Sequence, residues 1–264
     1  MKPDFSIVTV SFNSEKTIER TIKSILNQSH KNYEYIIIDG GSKDGTNEII
    51  ERYKPQFKAN LTHISEPDKG IYDGMNKGIA LANGTIVGLL NSDDYYFEDS
   101  LSKVYKAYHE TDGKTIISGE LIFKSETGEQ LLRTSEERFL KKTRQYKNGV
   151  RHPATFVPKE IYDAVGLFNL NYKIAADAEL MYRIYEAKFK FKFVNEPFLV
   201  MADGGASNSK GLFKQLVHEN WLFLKTYCPN FVLRYYYIAM AIIRLMVKEM
   251  GSKVLSYYRK MANS

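Results

Sequence analysis

The chain has a single cysteine, Cys228, so it cannot close an internal disulfide. That fits a reducing compartment such as the cytoplasm. Long apolar runs are also missing. The stretch from Phe5 to Val10 is short for a secretory leader and is interrupted by Ser6 and Thr9, so no leader is expected. Tyr235 to Ile243 gives nine uncharged residues between Arg234 and Arg244, against the roughly 20 needed to span a bilayer. A transmembrane helix is therefore not expected, whereas an interfacial one is compatible with this stretch. No fixed-period repeat or low-complexity segment occurs. Glycine is absent between Thr9 and Arg20, where a Gly-rich, basic phosphate loop near the N-terminus would belong. The glycines at 40, 41 and 45 do not make a Gly-x-Gly-x-x-Gly dinucleotide fingerprint.

What is present is ample for a packed core: 264 residues, 44% hydrophobic and 26% charged. The net charge of +6 is unevenly spread. From Ala206 onward there are nine Lys or Arg and two acids, so the first 205 residues hold 28 basic and 29 acidic side chains. The basic excess belongs to the tail, where an anionic membrane surface is the matching partner. Nucleic acid is not expected on the main body.

The first hundred residues alternate strand and helix signals. Phe5 to Val10 reads as a strand, and Ile18, Ile22, Ile25 and Leu26 fall on one helix face. Tyr35 to Asp39 is a buried strand, followed by a Gly40-Gly41 turn and a helix starting near Asp44. Leu61 to Ile64 is a weaker strand, Tyr72 to Ala82 a helix and Thr85 to Leu90 a strand. This order predicts an α/β fold with an open, mostly parallel sheet flanked by helices. Beyond it, Glu98 to His109 reads as helix and Thr115 to Phe123 as strand. The polar segment Glu126 to Lys147 reads as a mobile insertion or loop. Ala154 to Val157 and Lys190 to Val194 read as strands, Asp177 to Ala187 as helix, and the residues from Gly211 as a helical tail.

Two segments carry chemistry. Asp93 and Asp94 follow an apolar strand, and ligands collect at the carboxyl ends of strands in open α/β sheets. Paired carboxylates there can hold a hard divalent cation, or they can simply cap the next helix. Asp39 ends another strand and opens Asp39-Gly-Gly-Ser-Lys-Asp-Gly45. Its carboxylate can accept from a nucleobase or ribose; the alternative is a plain βα turn with Asp44 as helix cap. Asp177 lies near a helix start, where Asp is commonly a cap.

These segments resemble the inverting, family 2 type glycosyltransferases with the GT-A fold. The resemblance runs through Ile7-Val-Thr-Val-Ser-Phe-Asn13, Ser24-Ile-Leu-Asn-Gln-Ser29, Ile37-Ile-Asp-Gly-Gly-Ser-Lys-Asp-Gly-Thr46 and Glu66 to Asp94, and extends more loosely to about residue 205. It implies that residues 1–95 bind a nucleotide-sugar donor, 96–205 form the acceptor half of the same domain, and 206–264 are an appended basic, aromatic tail. By resemblance, Thr9, Ser11, Asn13, Asp39, Asp68, Lys69, Ser92 and Asp93 would line the donor site, with Asp39 on the base, usually uracil. Asn91-Ser-Asp93 fills the family's Asp-x-Asp slot, with Asp93 the ligand of Mn²⁺ or Mg²⁺ and Asp94 in support, and Asn91 departs from the pattern. Asp177 matches the general base, while Ala176 replaces the acid before it. His152 and Glu179 are assigned to the acceptor side, although His152 can equally be structural. Met201 to Ser207 resembles a loop that closes over the donor, and it lacks the metal-binding histidine of some relatives.

The implied reaction is a direct displacement from a UDP-linked sugar onto a hydroxyl of a glycan or lipid-linked glycan, at the cytoplasmic face of the inner membrane. Three rivals stand against this reading, one of them a nucleotidyltransferase with a similar sheet, which would be expected to show the Gly-rich, basic phosphate loop that residues 9–20 lack. A processive synthase would carry a Gln-x-x-Arg-Trp motif, and the lone Trp221 follows Glu219-Asn220. A catalytically silent sugar-nucleotide-binding module draws its support from Asn91, Ala176 and the missing loop histidine. The tail binds membrane, packs on the body through Tyr235 to Tyr237, or makes a homodimer. His63, His109 and Cys228 are expected to be structural.

Overall fold

The computed structural model describes residues 2–147, 149–203 and 212–262, with side chains up to residue 247. Strand β1 (Phe5–Ser11) is buried along its whole length, because alternate residues feed two different cores. Ile7 joins one cluster with α1 (Ile18–Leu26), α2 (Thr46–Tyr53) and α4 (Ser100–His109). Val8 and Val10 join the other, with α3 (Ile71–Leu81), α6 (Lys159–Val165) and α7 (Ala176–Glu186). The Ile18, Ile22 and Ile25 side chains of α1 are all fully buried, as their spacing requires. Helix α3 lies close on β1 at Gly78, where a Cβ would come within 2.2 Å of Val8 Cγ1.

The remaining strands are β2 (Tyr33–Asp39), β3 (Leu61–Ser65), β4 (Ile86–Asn91), β5 (Tyr95–Tyr96), β6 (Thr115–Ser125), β7 (Gly128–Leu132), β8 (Thr155–Pro158) and β9 (Lys190–Ala202). One sheet runs in the order β3-β2-β1-β4-β8-β6-β9-β5, with β7 paired to β6. The first four strands are parallel. The second half is mixed, because β8 runs antiparallel to both β4 and β6, while β6 and β9 are parallel. Pairing aligns Ser11 with Asp39, Asp39 with Ser65, and Val10 with Asn91. The carboxyl ends of four strands therefore share one edge. The chain reverses its direction of growth between β1 and β4, which opens a crevice at that edge.

Two sequence expectations need correction. Glu126 to Lys147 is not a loop: it contains β7 and α5 (Glu136–Thr143). The helix is anchored by Phe139, whose ring centroid lies 4.4 Å from Phe191 and 5.6 Å from Phe193. Strand β9 continues past Val194 to Ala202 through a register shift opposite Glu120. The short strand β5 pairs with the end of β9. The tail is helical as expected, forming α8 (Phe213–Tyr227) and α9 (Phe231–Ala262). Tyr182 of α7 receives Phe223 and Tyr227 of α8 at centroid distances of 5.0 and 4.9 Å. Tyr237 of α9 packs on Tyr146, whereas Tyr235 and Tyr236 are exposed. Among the described residues no helix is long and apolar enough to cross a membrane.

Candidate active site

The loops after β1 and β2 clasp each other. Ser14 N–H donates to Thr46 Oγ1 at 2.7 Å, Glu15 N–H to Asp44 Oδ2 at 3.1 Å, and Gly45 N–H to Glu15 Oε2 at 2.9 Å. Asp44 also accepts from Thr46 N–H at 3.1 Å, so it braces the start of α2 as well as the loop pair. Asn13, exposed and at φ 50°, donates its N–H to Ser42 Oγ and accepts from Lys43 N–H.

Asp39 is the anchor of this region, and its carboxylate faces inward. It is fully buried. Oδ2 accepts from Gly41 N–H (3.1 Å), Ser42 N–H (2.8 Å), Ser65 Oγ (2.7 Å) and Asn47 Nδ2 (3.3 Å). Oδ1 accepts from Ser11 Oγ at 3.1 Å and from Ser42 Oγ. Burial alone would raise its pKa, but the hydrogen bonds from Ser42, Ser65 and Ser11 outweigh that and hold it below the usual range. The carboxylate is thus occupied by protein donors and shapes the Gly40-Gly41-Ser42 turn, with Gly41 at φ +83°. Thr9 is likewise turned into the core, where its Oγ1 accepts from Tyr35 O–H at 3.0 Å. Thr9 shares its strand face with Ile7 and points into the same core. Asp68 accepts from Gly70 N–H at 2.8 Å and sits against Gly40, where a Cβ would meet Asp68 Oδ2 at 2.8 Å. Lys69 is exposed next to it.

A cavity of about 320 Å³ opens at the carboxyl end of β4. Asn91, Asp93 and Asp94 line it, together with His152 and Asp177. The turn after β4 is gripped by α1: Arg20 Nη2 donates to the Asp93 carbonyl at 2.7 Å, and Thr21 Oγ1 lies 2.9 and 2.6 Å from the Ser92 and Asp94 carbonyls. Ser92 Oγ and Ser14 Oγ, 2.8 Å apart, join this turn to the β1 loop. Asp94 is almost wholly buried and accepts from Ala202 N–H at 3.1 Å and Asn91 Nδ2 at 3.3 Å. Burial and the neighbouring Asp93 push its pKa up to about 7. Burial also raises Asp93, with Arg20 acting weakly against it.

These donors suit a hard cation. Asn91 Oδ1 is a buried acceptor without a hydrogen-bond partner, and it stands in the same cavity as the two carboxylates. Among the described residues no group of three or more His, Cys, Asp or Glu is arranged to hold a metal. The set therefore fits an ion that takes its other ligands from water and phosphate oxygens, as Mg²⁺-type sites do.

Asp177 reaches the cavity from the second position of α7. It is not the helix cap: that position is Ala175, which makes no side-chain cap bond. The Tyr72 hydroxyl donates to the Ile174 carbonyl at 2.7 Å and lies 3.4 Å from Asp177 Oδ1. The segment leading into α7 is held by Glu219 of α8, whose buried carboxylate accepts from Lys173, Ile174 and Ala175 N–H groups at 2.8, 3.1 and 2.8 Å. His152 is buried beside Phe168, edge to face at 5.5 Å. Burial lowers its pKa and Asp177 opposes that, so the imidazole stays neutral.

Glu179 does not join the site. Two positions along a helix turn a side chain by about 200°, and its buried carboxylate pairs with Arg183 (2.9 and 3.1 Å) and accepts from Tyr227 O–H. The structure thus brings Asp93, Asp94, His152 and Asp177 together. It turns Thr9 and Asp39 inward and Glu179 away. Ser11, on the same inward strand face as Thr9, donates to Asp39, and Asn13, Asp68, Lys69 and Ser92 lie on the adjoining loops. Within the expected closing loop, residues 204–207 lie outside the described residues. Sequence reasoning missed Arg151, Lys173 and Tyr72 on the cavity wall and Glu219 behind it. The signal for Glu219 was available: it is the one acid between Gly204 and Lys248.

Comparison with known proteins adds an independent line. The model of the family described as Glycosyl transferase family 2 matches residues 6–162, more than half of the chain. A PGL/p-HBAD biosynthesis glycosyltransferase of Mycobacterium bovis is 29% identical over 184 residues, covering 69% of this chain and 70% of that one. An uncharacterized glycosyltransferase of Mycobacterium tuberculosis is 33% identical over 184 residues, covering 69% and 68%. A putative teichuronic acid biosynthesis glycosyltransferase of Bacillus subtilis is 38% identical over 103 residues, covering 39% and 40%. Among solved structures, S. aureus TarS in complex with UDP-GlcNAc matches with a TM-score of 0.68 at 17% identity, covering 92% of this chain and 72% of that one. The mannosyltransferase PcManGT from Pyrobaculum calidifontis, in complex with GDP-Man and Mn²⁺, matches with a TM-score of 0.63 at 15% identity, covering 100% and 81%. These likenesses establish the GT-A-type fold.

Proposed function

The chain belongs to glycosyl transferase family 2, and we propose that it moves a hexose or N-acetylhexosamine, with inversion, from a UDP-linked donor to a hydroxyl of a glycan or lipid-linked glycan. The observation that carries this reading is the shared cavity, with Asp93 and Asp94 contributed by the β4 turn and Asp177 by α7. Asp177 takes the acceptor proton as the hydroxyl oxygen bonds to the anomeric carbon. The bond from that carbon to the diphosphate breaks on the opposite face through an oxocarbenium-like state, so the configuration inverts. Tyr72 and the Glu219-held segment orient Asp177 for this step. Arg151 and Lys173 bring positive charge to the same cavity. Asp93, with Asp94 and the Asn91 amide oxygen beside it, would hold Mn²⁺ or Mg²⁺, which neutralises charge on a departing diphosphate.

UDP as the nucleotide is supported by the TarS complexes with UDP and UDP-GlcNAc, and a divalent ion by the PcManGT complex with Mn²⁺. A surface-polysaccharide or glycolipid acceptor is supported by the names of the curated relatives. The exposed apolar side chains of α9 and the basic tail favour docking on the anionic cytoplasmic face of the inner membrane. Asn91 and Ala176, which depart from the acids of the motifs this sequence resembles, favour the second reading, a donor-binding module without turnover. A panel of UDP- and GDP-sugars tests both readings. Metal-dependent turnover of one donor, with protection against thermal unfolding, supports the transferase, and protection without turnover supports the module. In the same assay Asp93→Ala abolishes Mn²⁺-dependent UDP binding while the chain stays folded; unchanged calorimetric affinity removes the metal assignment.

A further inference from the structure

A second, larger concavity of about 1090 Å³ lies beside the first, walled by α5, the segments that flank it and α9. Six cations face it: Arg133, Arg138, Lys141, Lys142, Lys147 and Arg244, against the two acids Glu120 and Glu137. A smaller pocket of about 170 Å³ links it to the catalytic cavity. That link shares Arg133, Arg138 and Lys142 with the trough, and Val150 and Arg151 with the cavity that holds Asp93 and Asp177.

We propose that this trough binds the body of a polyanionic acceptor, a glycan carrying carboxylate or phosphate groups along its length, and leads its terminal hydroxyl to Asp177. The proposal rests on the transferase reading and names its acceptor class. None of the trough cations, nor Arg151, makes an ion pair among the described residues. Elsewhere some surface lysines are paired, as Lys103 is with Asp99 and Glu196, and others, such as Lys16 and Lys43, stand singly among the described residues; the trough gathers six unpaired cations around one concavity. Like charges gathered without partners cost stability, and an anionic ligand removes that cost. Burial, and then the repulsion of Arg138, Arg151, Lys147 and Arg244, hold Lys142 below the usual lysine range. Lys147 and Arg151 are lowered in the same direction, first by burial and then by Arg244 and Arg138 respectively. The buried Arg151 Nε lacks a hydrogen-bond partner at the junction of the cavities. A concave trough adjoining the site suits an extended chain better than a flat lipid surface.

The test uses the full chain and four probes: fluorescein-labelled hexagalacturonate, neutral maltohexaose, inorganic polyphosphate, and phosphatidylcholine vesicles with and without phosphatidylglycerol. Hexagalacturonate or polyphosphate is expected to bind at least ten-fold tighter than maltohexaose and to weaken with salt. Which of the two binds tighter assigns carboxylate or phosphate. The double variant Arg133→Gln/Arg138→Gln, both exposed positions, and separately Lys142→Gln, are expected to lose about ten-fold or more in that affinity. UDP binding in the presence of Mn²⁺ and the melting temperature are expected to stay unchanged. Binding of both soluble anions no tighter than that of maltohexaose, or undiminished anion affinity in both variants, overturns the proposal. So does anion binding confined to phosphatidylglycerol vesicles and lost in the variants, which makes the trough a membrane contact. A wild type that binds UDP but neither soluble anion removes the trough and leaves the transferase. One that binds hexagalacturonate but no UDP- or GDP-sugar removes the transferase reading.

Discussion

Asp39, Asp93 and Asp94 all follow parallel strands, yet their surroundings push them in opposite directions. Six protein donors hold Asp39 as a carboxylate, whereas Asp94 is buried against another carboxylate and its pKa rises to about 7. The sequence placed all three at strand ends, and that much was legible from hydrophobic runs alone. Which way each side chain turns was not, because it depends on how the β1 and β2 loops clasp. His152 is a third case. Its pKa is lowered from 6.5 by burial, so the unfolded chain takes up a proton that the folded chain resists. That contribution is fully present above pH 6.5 and is lost as the pH falls below it. Asp94, raised to about 7, takes up a proton over the same range and works the other way, so the signature is a difference: relative to His152→Gln, the wild-type melting temperature is expected to fall between about pH 7 and 5. Differential scanning calorimetry across this range checks the slope.

At the scale of elements, helices and strands with dense apolar periodicity were readable, and α1 and β1 are examples. Helix α5 was not, because one phenylalanine, Phe139, carries most of its burial in an otherwise charged stretch. The antiparallel insertion of β8 between β4 and β6 was also hidden, since it depends on pairing across distant sequence. The contact that matters most for the site joins α8 to the start of α7. Glu219→Ala leaves three N–H groups without their carboxylate, and the expected cost is about 2–4 kcal/mol of stability. A lowered melting temperature and slower transfer, with UDP affinity retained, are the expected outcomes. Loss of UDP binding instead would tie Glu219 to the donor side. Helix α9 exposes Phe231, Val232, Leu233, Tyr236, Ile243 and Val247. Flotation of the chain with phosphatidylglycerol liposomes, weakening with salt, is expected. Equal flotation on phosphatidylcholine alone, or none, would point to a self-association face.

For the whole molecule, the parallel half of the sheet brings the loops after β1, β2 and β4 to one edge, and the mixed half brings His152 and α7 to the cavity there. The family motifs singled out Asp93 and Asp177 before any geometry, and the structure brings both to one cavity. They could not exclude Glu179, which only helix geometry turns away from the cavity. The central claim is that Asp177 is the base of a glycosyl transfer at this junction. Asp177→Asn keeps shape and hydrogen-bonding oxygen but removes basicity. Single-turnover transfer from the donor that the sugar-nucleotide panel identifies is the measurement. The account predicts a fall of about 10²-fold or more, with donor affinity and melting temperature nearly unchanged. Wild-type transfer rates in that variant would contradict it.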